Sequence, residues 1–381
     1  MSEAKAPAAH EESQPAVPTS SESAAPESQN PSTADTKTSS AVQMPAEATE
    51  TSGPLEAQRD STDDSFSDTG DSALGSEGEY DPSTYTASLT SSITSYRFQH
   101  GRRYHAYQDG RYDLPNDEQE QERMDLQYHA LRLAYGDKLL FAQIGENPTH
   151  ILDIGTGTGI WAIDTGEAYP DTQVVGTDLS PIQPPWVPPN VKFEVDDAEM
   201  EWTFPEDHFD LVHTRIMNAF LQNWNRFFEQ SFKHLKPGGW VECQELSVDV
   251  KSDDGSLSED SYIRTWCLNE EEAWKKIGLS VVLTGEQLQS WMENAGFVNV
   301  TVRTFKIPIG QWPADPVLRE TGAFQLVAML EGLQGLTIGP WVRHLGWAEE
   351  EVEVFIANVR SEWRSKKIHS YFPLYEPHCL V

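Results

Sequence analysis

Three glycines at alternate positions, Gly155, Gly157 and Gly159, follow the apolar run Ile151-Leu152-Asp153-Ile154 and precede a helix-like stretch that starts at Ile160. Glycines spaced this way remove the side chains that would hold a backbone off a ligand, and they permit dihedrals that a β-carbon forbids. The loop therefore reads as a nucleotide-cofactor site, with backbone N–H groups and a helix N-terminus turned to the ligand. A dinucleotide fingerprint has its third glycine three positions after the second. Here that position is Ile160, so the spacing is GxGxG, which points away from NAD and toward S-adenosylmethionine.

Carboxylates recur where such a site needs them. Asp153, just before the glycines, orders the loop or meets the amino group of the cofactor's methionine part; Thr156 lies within the loop itself. Asp178 ends the strand Val174-Val175-Gly176-Thr177 and is followed by Leu179. A carboxylate there accepts both vicinal ribose hydroxyls, a task that requires two acceptor oxygens; a plain helix cap is the alternative. At the next strand end, Asp196-Asp197-Ala198 offers Asp197 to the adenine amino group, and Ala198 leaves room for the ring. The strand Phe209-Asp210-Leu211-Val212-His213-Thr214-Arg215 ends beside the methyl donor. The Arg215 fork suits a carboxylate of cofactor or substrate, with a surface ion pair as an equal reading.

These residues must be held by a sheet. Strands at 150–154, 173–177, 191–195, 209–214 and 240–245 alternate with helices after Gly159 and over 225–235, which implies the α/β class with a parallel, doubly wound sheet. In such sheets ligands bind outside the carboxyl ends of the strands, where the residues above fall. Upstream, Met124, Tyr128, Leu131 and Leu139 fit a helix with a broad apolar face. Downstream come a helix at 285–295 stopped by Gly296, an alternating strand on Val298, Val300, Val302 and Phe305, and a strand over 368–375. Helical stretches at 316–333 and 349–364 form an insertion, 313–366, before the last strand, which caps the site or only packs.

Residues 1–95 are of another kind: Ser, Thr, Ala, Pro and Glu in irregular order, with Phe66 the only aromatic before Tyr80. Such a segment buries too little apolar surface to offset its conformational entropy, so an acidic disordered region is expected there, and a folded domain over 96–377. The net charge of −34 disfavours direct nucleic-acid binding, which draws on Lys and Arg, and is compatible with simple solubility or a basic protein partner. Cys243, Cys267 and Cys379 show no metal-ligand or disulfide spacing, so no metal site is expected. With no apolar signal core and no run of about eighteen apolar residues, the expectation is no membrane span, no secretion, and a location in nucleus or cytoplasm.

Longer stretches resemble a known family. Asp178-Leu179-Ser180-Pro181-Ile182-Gln183-Pro184, Trp186-Val187-Pro188-Pro189-Asn190 and Phe193-Glu194-Val195-Asp196-Asp197-Ala198 are similar to class I S-adenosylmethionine-dependent methyltransferases of the fungal LaeA-like group. So are Gly101-Arg102-Arg103-Tyr104-His105, Pro115-Asn116-Asp117-Glu118 and Pro308-Ile309-Gly310-Gln311-Trp312-Pro313. The resemblance implies the seven-stranded Rossmann-like methyltransferase sheet and S-adenosylmethionine binding. For several members it implies control of development and secondary metabolism in complexes with velvet-domain proteins; for others, methylation of pathway metabolites.

Methyl transfer is an in-line displacement at a carbon activated by a sulfonium leaving group, so alignment and desolvation carry much of the rate. A base is needed only for a nucleophile that arrives protonated. The candidates are His213, Glu245, Tyr104 and His105, with a hydrogen-bonded strand histidine and a structural carboxylate as the competing readings of the first two. Gln183-Pro184-Pro185-Trp186 follows the second strand, not the fourth, so it is not the motif that holds a planar amino nitrogen.

Overall fold

The computed structural model describes residues 50–51, 53–58, 96–105 and 113–381. Most of the 1–95 segment expected to be disordered lies outside them, but Gly53–Gln58 does not behave as expected. Ala57 bridges Pro313 in antiparallel fashion, the Gln58 amide donates to Trp312 O at 2.8 Å, and Ala314 donates to Glu56 O at 2.7 Å. Backbone pairing at a ready edge supplies what the composition of this stretch lacks.

Arg97–Gln99 (β1) and Arg102–Tyr104 (β2) pair as a small antiparallel ribbon. The helix Glu118–Ala134 (α1) starts at Asp117, whose side chain accepts the Glu120 N–H. Then follow His150–Ile154 (β3), Ile160–Ala168 (α2), Gln173–Asp178 (β4), Val191–Val195 (β5), Phe209–Arg215 (β6), Trp224–His234 (α3) and Leu235–Leu246 (β7). The chain continues through Tyr262–Lys275 (α4), Gly285–Ala295 (α5), Val298–Pro308 (β8), Pro316–Pro340 (α6), Glu349–Arg364 (α7) and Tyr371–Leu380 (β9).

The seven-stranded sheet has the order β5-β4-β3-β6-β7-β9-β8. The first five of these pair in parallel, whereas β9 runs antiparallel to both β7 and β8, so the sheet is mixed and not wholly parallel. Parallel strands covered on both faces read as continuous apolar runs, which is how Ile151, Leu152, Val174, Val175, Leu211 and Val212 are buried. The register pairs Ile154 with both Thr177 and Thr214, so the ends of β3, β4 and β6 lie side by side.

Helix α4 was not foreseen, β9 runs past the expected 375 and past the expected domain end at 377, and α6 outruns 333. Helix α6 lies on α1: an added Cβ at Gly332 would come within 2.2 Å of Arg123 Cδ, and at Gly335 within 2.8 Å of Arg102 Nη1. The insertion thus backs the helix that roofs the strand ends.

Candidate functional site

The chain leaves β3 into a tight glycine turn. Gly155, Gly157 and Gly159 all have positive φ (69°, 58° and 81°), a region L side chains rarely adopt, so the three glycines are demanded by the backbone itself. Gly159 begins α2 with no side-chain cap, leaving first-turn N–H groups available to a ligand.

Asp178, at the end of β4, reaches back across this turn. Its Oδ2 accepts the Gly157 N–H at 2.9 Å and its Oδ1 accepts the Ser180 N–H at 2.9 Å. Burial pushes this carboxyl up to about 6 although both N–H donors oppose the shift. Gln183 adds a second tie by donating to Gly157 O at 2.6 Å and Ser180 O at 3.0 Å. From the roof, Asp125 on α1 accepts the Thr158 hydroxyl at 2.6 Å.

A cleft of about 1050 Å³, open at its mouth, lies over these strand ends. Gly155, Thr156, Gly157, Asp178 and Leu179 line one side; Asp196, Asp197 and Ala198 line another; Arg215 stands at the end of β6. The Arg215 guanidinium lies 4.6 Å from the Tyr128 ring centroid and, among the described residues, has no carboxylate at ion-pair distance. Met124, Gln127 and Tyr128, spaced i, i+3 and i+4 on α1, complete the roof. That spacing was legible as an apolar helix face, but not as a wall of this cleft.

Other residues singled out from the sequence sit elsewhere. Asp153 lies under the loop: its Oδ2 accepts the Thr156 hydroxyl at 2.6 Å and its Oδ1 accepts His213 Nδ1–H at 2.7 Å. Thr214 is fully buried and donates to Ile154 O at 3.0 Å, while Gly159 packs against Phe193. None of these three faces the cleft.

The candidate bases are also absent from its lining. His213 is fully buried and stacks on Trp161 with centroids 3.6 Å apart and planes 5° from parallel. Glu245 accepts the Met217 N–H at 2.9 Å and the Asn218 N–H at 3.1 Å, and burial pushes it up to about 8. It holds the turn after β6, where Ile216 has a φ of 52°, a strained value for a β-branched residue. Tyr104 and His105 are buried beside the β1–β2 ribbon. None of the four lines the cleft, and the polar atoms of His213 and Glu245 are engaged by Asp153 and by the turn amides.

The 101–105 and 115–118 stretches meet to fasten α1. Arg102 grips Asp117 through Nε at 2.6 Å and Nη2 at 2.7 Å, and Asn116 Nδ2 donates to Ser180 Oγ at 3.3 Å. The roof helix is thereby tied to the loop that follows Asp178.

Comparison with known proteins agrees with this geometry. Residues 122–302 match the family described as a methyltransferase domain. Methyltransferase pytC of Aspergillus terreus is 41% identical over 293 residues, which cover 77% of this chain and 90% of the relative. Secondary metabolism regulator LAE1 of Cochliobolus heterostrophus is 34% identical over 72% of this chain and 91% of its own. Protein-methionine methyltransferase laeA of Emericella nidulans is 35% identical over 72% and 73% respectively. This chain belongs to the fungal LaeA-like family of S-adenosylmethionine-dependent methyltransferases.

Proposed function

We propose that the cleft binds S-adenosylmethionine through the residues that line it and that the enzyme serves the regulation of fungal secondary metabolism. The observation that carries the binding assignment is the bond from the Gly157 N–H to Asp178, which fixes the loop and sets a carboxylate at the cleft wall in one contact. The donor set fits the cofactor: Asp178 for the ribose hydroxyls, Asp197 for the adenine amino group beside Ala198, the loop N–H groups and Arg215 for the carboxylate of the methionine part.

When bound, the cofactor supplies a methyl group on a positively charged sulfur. The chain's contribution is placement and exclusion of water. Met124, Met217 and Phe220 give the cleft apolar surfaces, and Glu245 with Asn218 fixes the turn that carries two of them.

The regulatory role is supported by the likeness to LAE1 and laeA, and complexes with velvet-domain proteins in nucleus or cytoplasm belong to the same reading. A second reading, a pathway enzyme that methylates a metabolite, is favoured by the higher identity to pytC. Calorimetry with S-adenosylhomocysteine on wild type, Gly157→Trp and Asp178→Ala tests the site: both variants are expected to bind far more weakly than wild type, and equal binding by all three sinks it. Purification from the native host separates the roles. Recovery of velvet-type partners supports regulation, and a protein found alone with one missing methylated product supports the pathway.

A further inference from the structure

A second cavity, of about 630 Å³, opens behind the cofactor cleft. The two share four wall residues: Leu114, Gln127, Ile216 and Phe220. Beyond that wall the inner cavity is lined by Trp266 and Trp274 of α4, Met329 of α6 and Phe372 of β9, each at most 3% exposed. α4, α6 and β9 therefore build it together with α1 and the turn after β6. Its narrow, largely apolar and buried lining suits a small molecule rather than a folded protein surface.

Its polar groups are nearly all committed. Asn218 Nδ2 donates to Leu246 O at 2.9 Å and to Val281 O at 3.1 Å. Arg123 is held by Glu120 at 2.7 Å and donates to Gln127 Oε1 at 3.0 Å. Glu270 is different. It is 3% exposed, its Oε2 accepts the Trp274 indole N–H at 3.2 Å, and its Oε1 makes no well-formed hydrogen bond, with the Trp341 indole standing near the carboxyl. A buried, unsatisfied carboxyl oxygen costs free energy that a ligand hydroxyl recovers, so it is a recognition element as well as a liability. Burial pushes this carboxyl up to about 8, with the Trp274 and Trp341 indoles opposing, so near neutral pH it is largely the neutral acid, which gives as well as accepts a hydrogen bond and favours an uncharged hydroxyl over a cation.

We infer that this inner cavity is the methyl-acceptor pocket, and that it takes a small, flat, uncharged aromatic molecule whose far hydroxyl pairs with Glu270 while its near heteroatom reaches the wall shared with the cofactor cleft. The inference rests on the cofactor assignment above. For a hydroxyl acceptor, an oxygen lone pair forms the new C–O bond, the C–S pair stays on sulfur as S-adenosylhomocysteine leaves neutral at that atom, and the hydroxyl proton passes to water at the cleft mouth. Glu270 is a positioning residue in this scheme, since it lines only the inner cavity.

The probe is 2,6-dihydroxynaphthalene, titrated by its fluorescence into the full-length protein saturated with S-adenosylhomocysteine. Wild type is expected to bind it, Glu270→Leu and Met329→Trp to bind it at least tenfold more weakly, and Glu270→Gln to recover most of the affinity. Cofactor-product binding by calorimetry should stay within twofold in Glu270→Leu, which separates loss of the pocket from loss of the fold; if Met329→Trp fails to bind the product, Glu270→Leu decides. No probe binding by wild type at millimolar concentration, or equal binding by wild type and Glu270→Leu, overturns the inference while leaving the cofactor site standing. Failure of wild type to bind S-adenosylhomocysteine at all removes both.

Discussion

Asp178 Oδ2 accepts the backbone N–H of Gly157 at 2.9 Å, so the residue assigned to the ribose also holds the glycine turn. Its two functions titrate together. With the carboxyl near 6, S-adenosylhomocysteine affinity should rise as pH increases from 5 to 7 and level off above, because only the ionised form offers acceptors to both ribose hydroxyls. Asp178→Asn should abolish that slope, and Asp178→Ala should weaken binding by about 2–3 kcal/mol, roughly 30- to 150-fold, as read by calorimetry.

Glu245 gives a pH signature of stability, not of catalysis. Its folded-state value, about 8, lies above the ordinary 4.5, so the folded protein binds this proton more tightly than the unfolded chain does. The contribution is therefore full below about 4.5 and is lost as pH rises toward 8. Urea unfolding of wild type and Glu245→Gln across this window should show a falling wild-type component that is missing in the variant. Glu245→Ala, which strands the Met217 and Asn218 amides, should lose about 2–3 kcal/mol at pH 7.

The sequence carried the strand ends well because glycine spacing and carboxylates at 153, 178 and 196–197 are local features. It carried the candidate bases poorly because burial is not local. His213 and Glu245 stand on β6 and β7, where a neighbouring strand or turn supplies the partner that turns a titratable group into a brace. Gln183 was read within the family-like 178–184 stretch and a Gln-Pro-Pro-Trp motif set aside as misplaced, yet it ties the connection after Asp178 to Gly157. The reversal of β9 was hidden for the same reason, since the insertion between β8 and β9 gives no sign of which edge the chain rejoins.

His213 is predicted to be a support for the loop. It donates to Asp153 from within a fully buried stack with Trp161, and Asp153 in turn holds Thr156. His213→Phe should cost about 2–4 kcal/mol by leaving the Asp153 oxygen without its donor. His213→Asn, whose amide nitrogen sits near where Nδ1 was, should recover a large part of that loss. Denaturant unfolding followed by tryptophan fluorescence measures both, and a Phe variant as stable as wild type would show the pair to be idle.

The grip of Arg102 on Asp117, fifteen residues along the chain, joins the 101–105 and 115–118 stretches to one end of α1. Both side chains are shielded, at 7% and 14% exposure, so removing one charge leaves the other desolvated without its partner. Asp117 also caps α1, and its replacement removes two supports at once. Asp117→Ala should therefore destabilise by about 3–5 kcal/mol. Arg102→Met should cost less, because it removes the buried charge and spares the cap. Since α1 roofs the cofactor cleft, amide hydrogen exchange should rise in 118–128 for Asp117→Ala and fall back when S-adenosylhomocysteine is bound. An Asp117→Ala protein whose α1 exchanges as slowly as wild type would mean that α6 alone holds the roof.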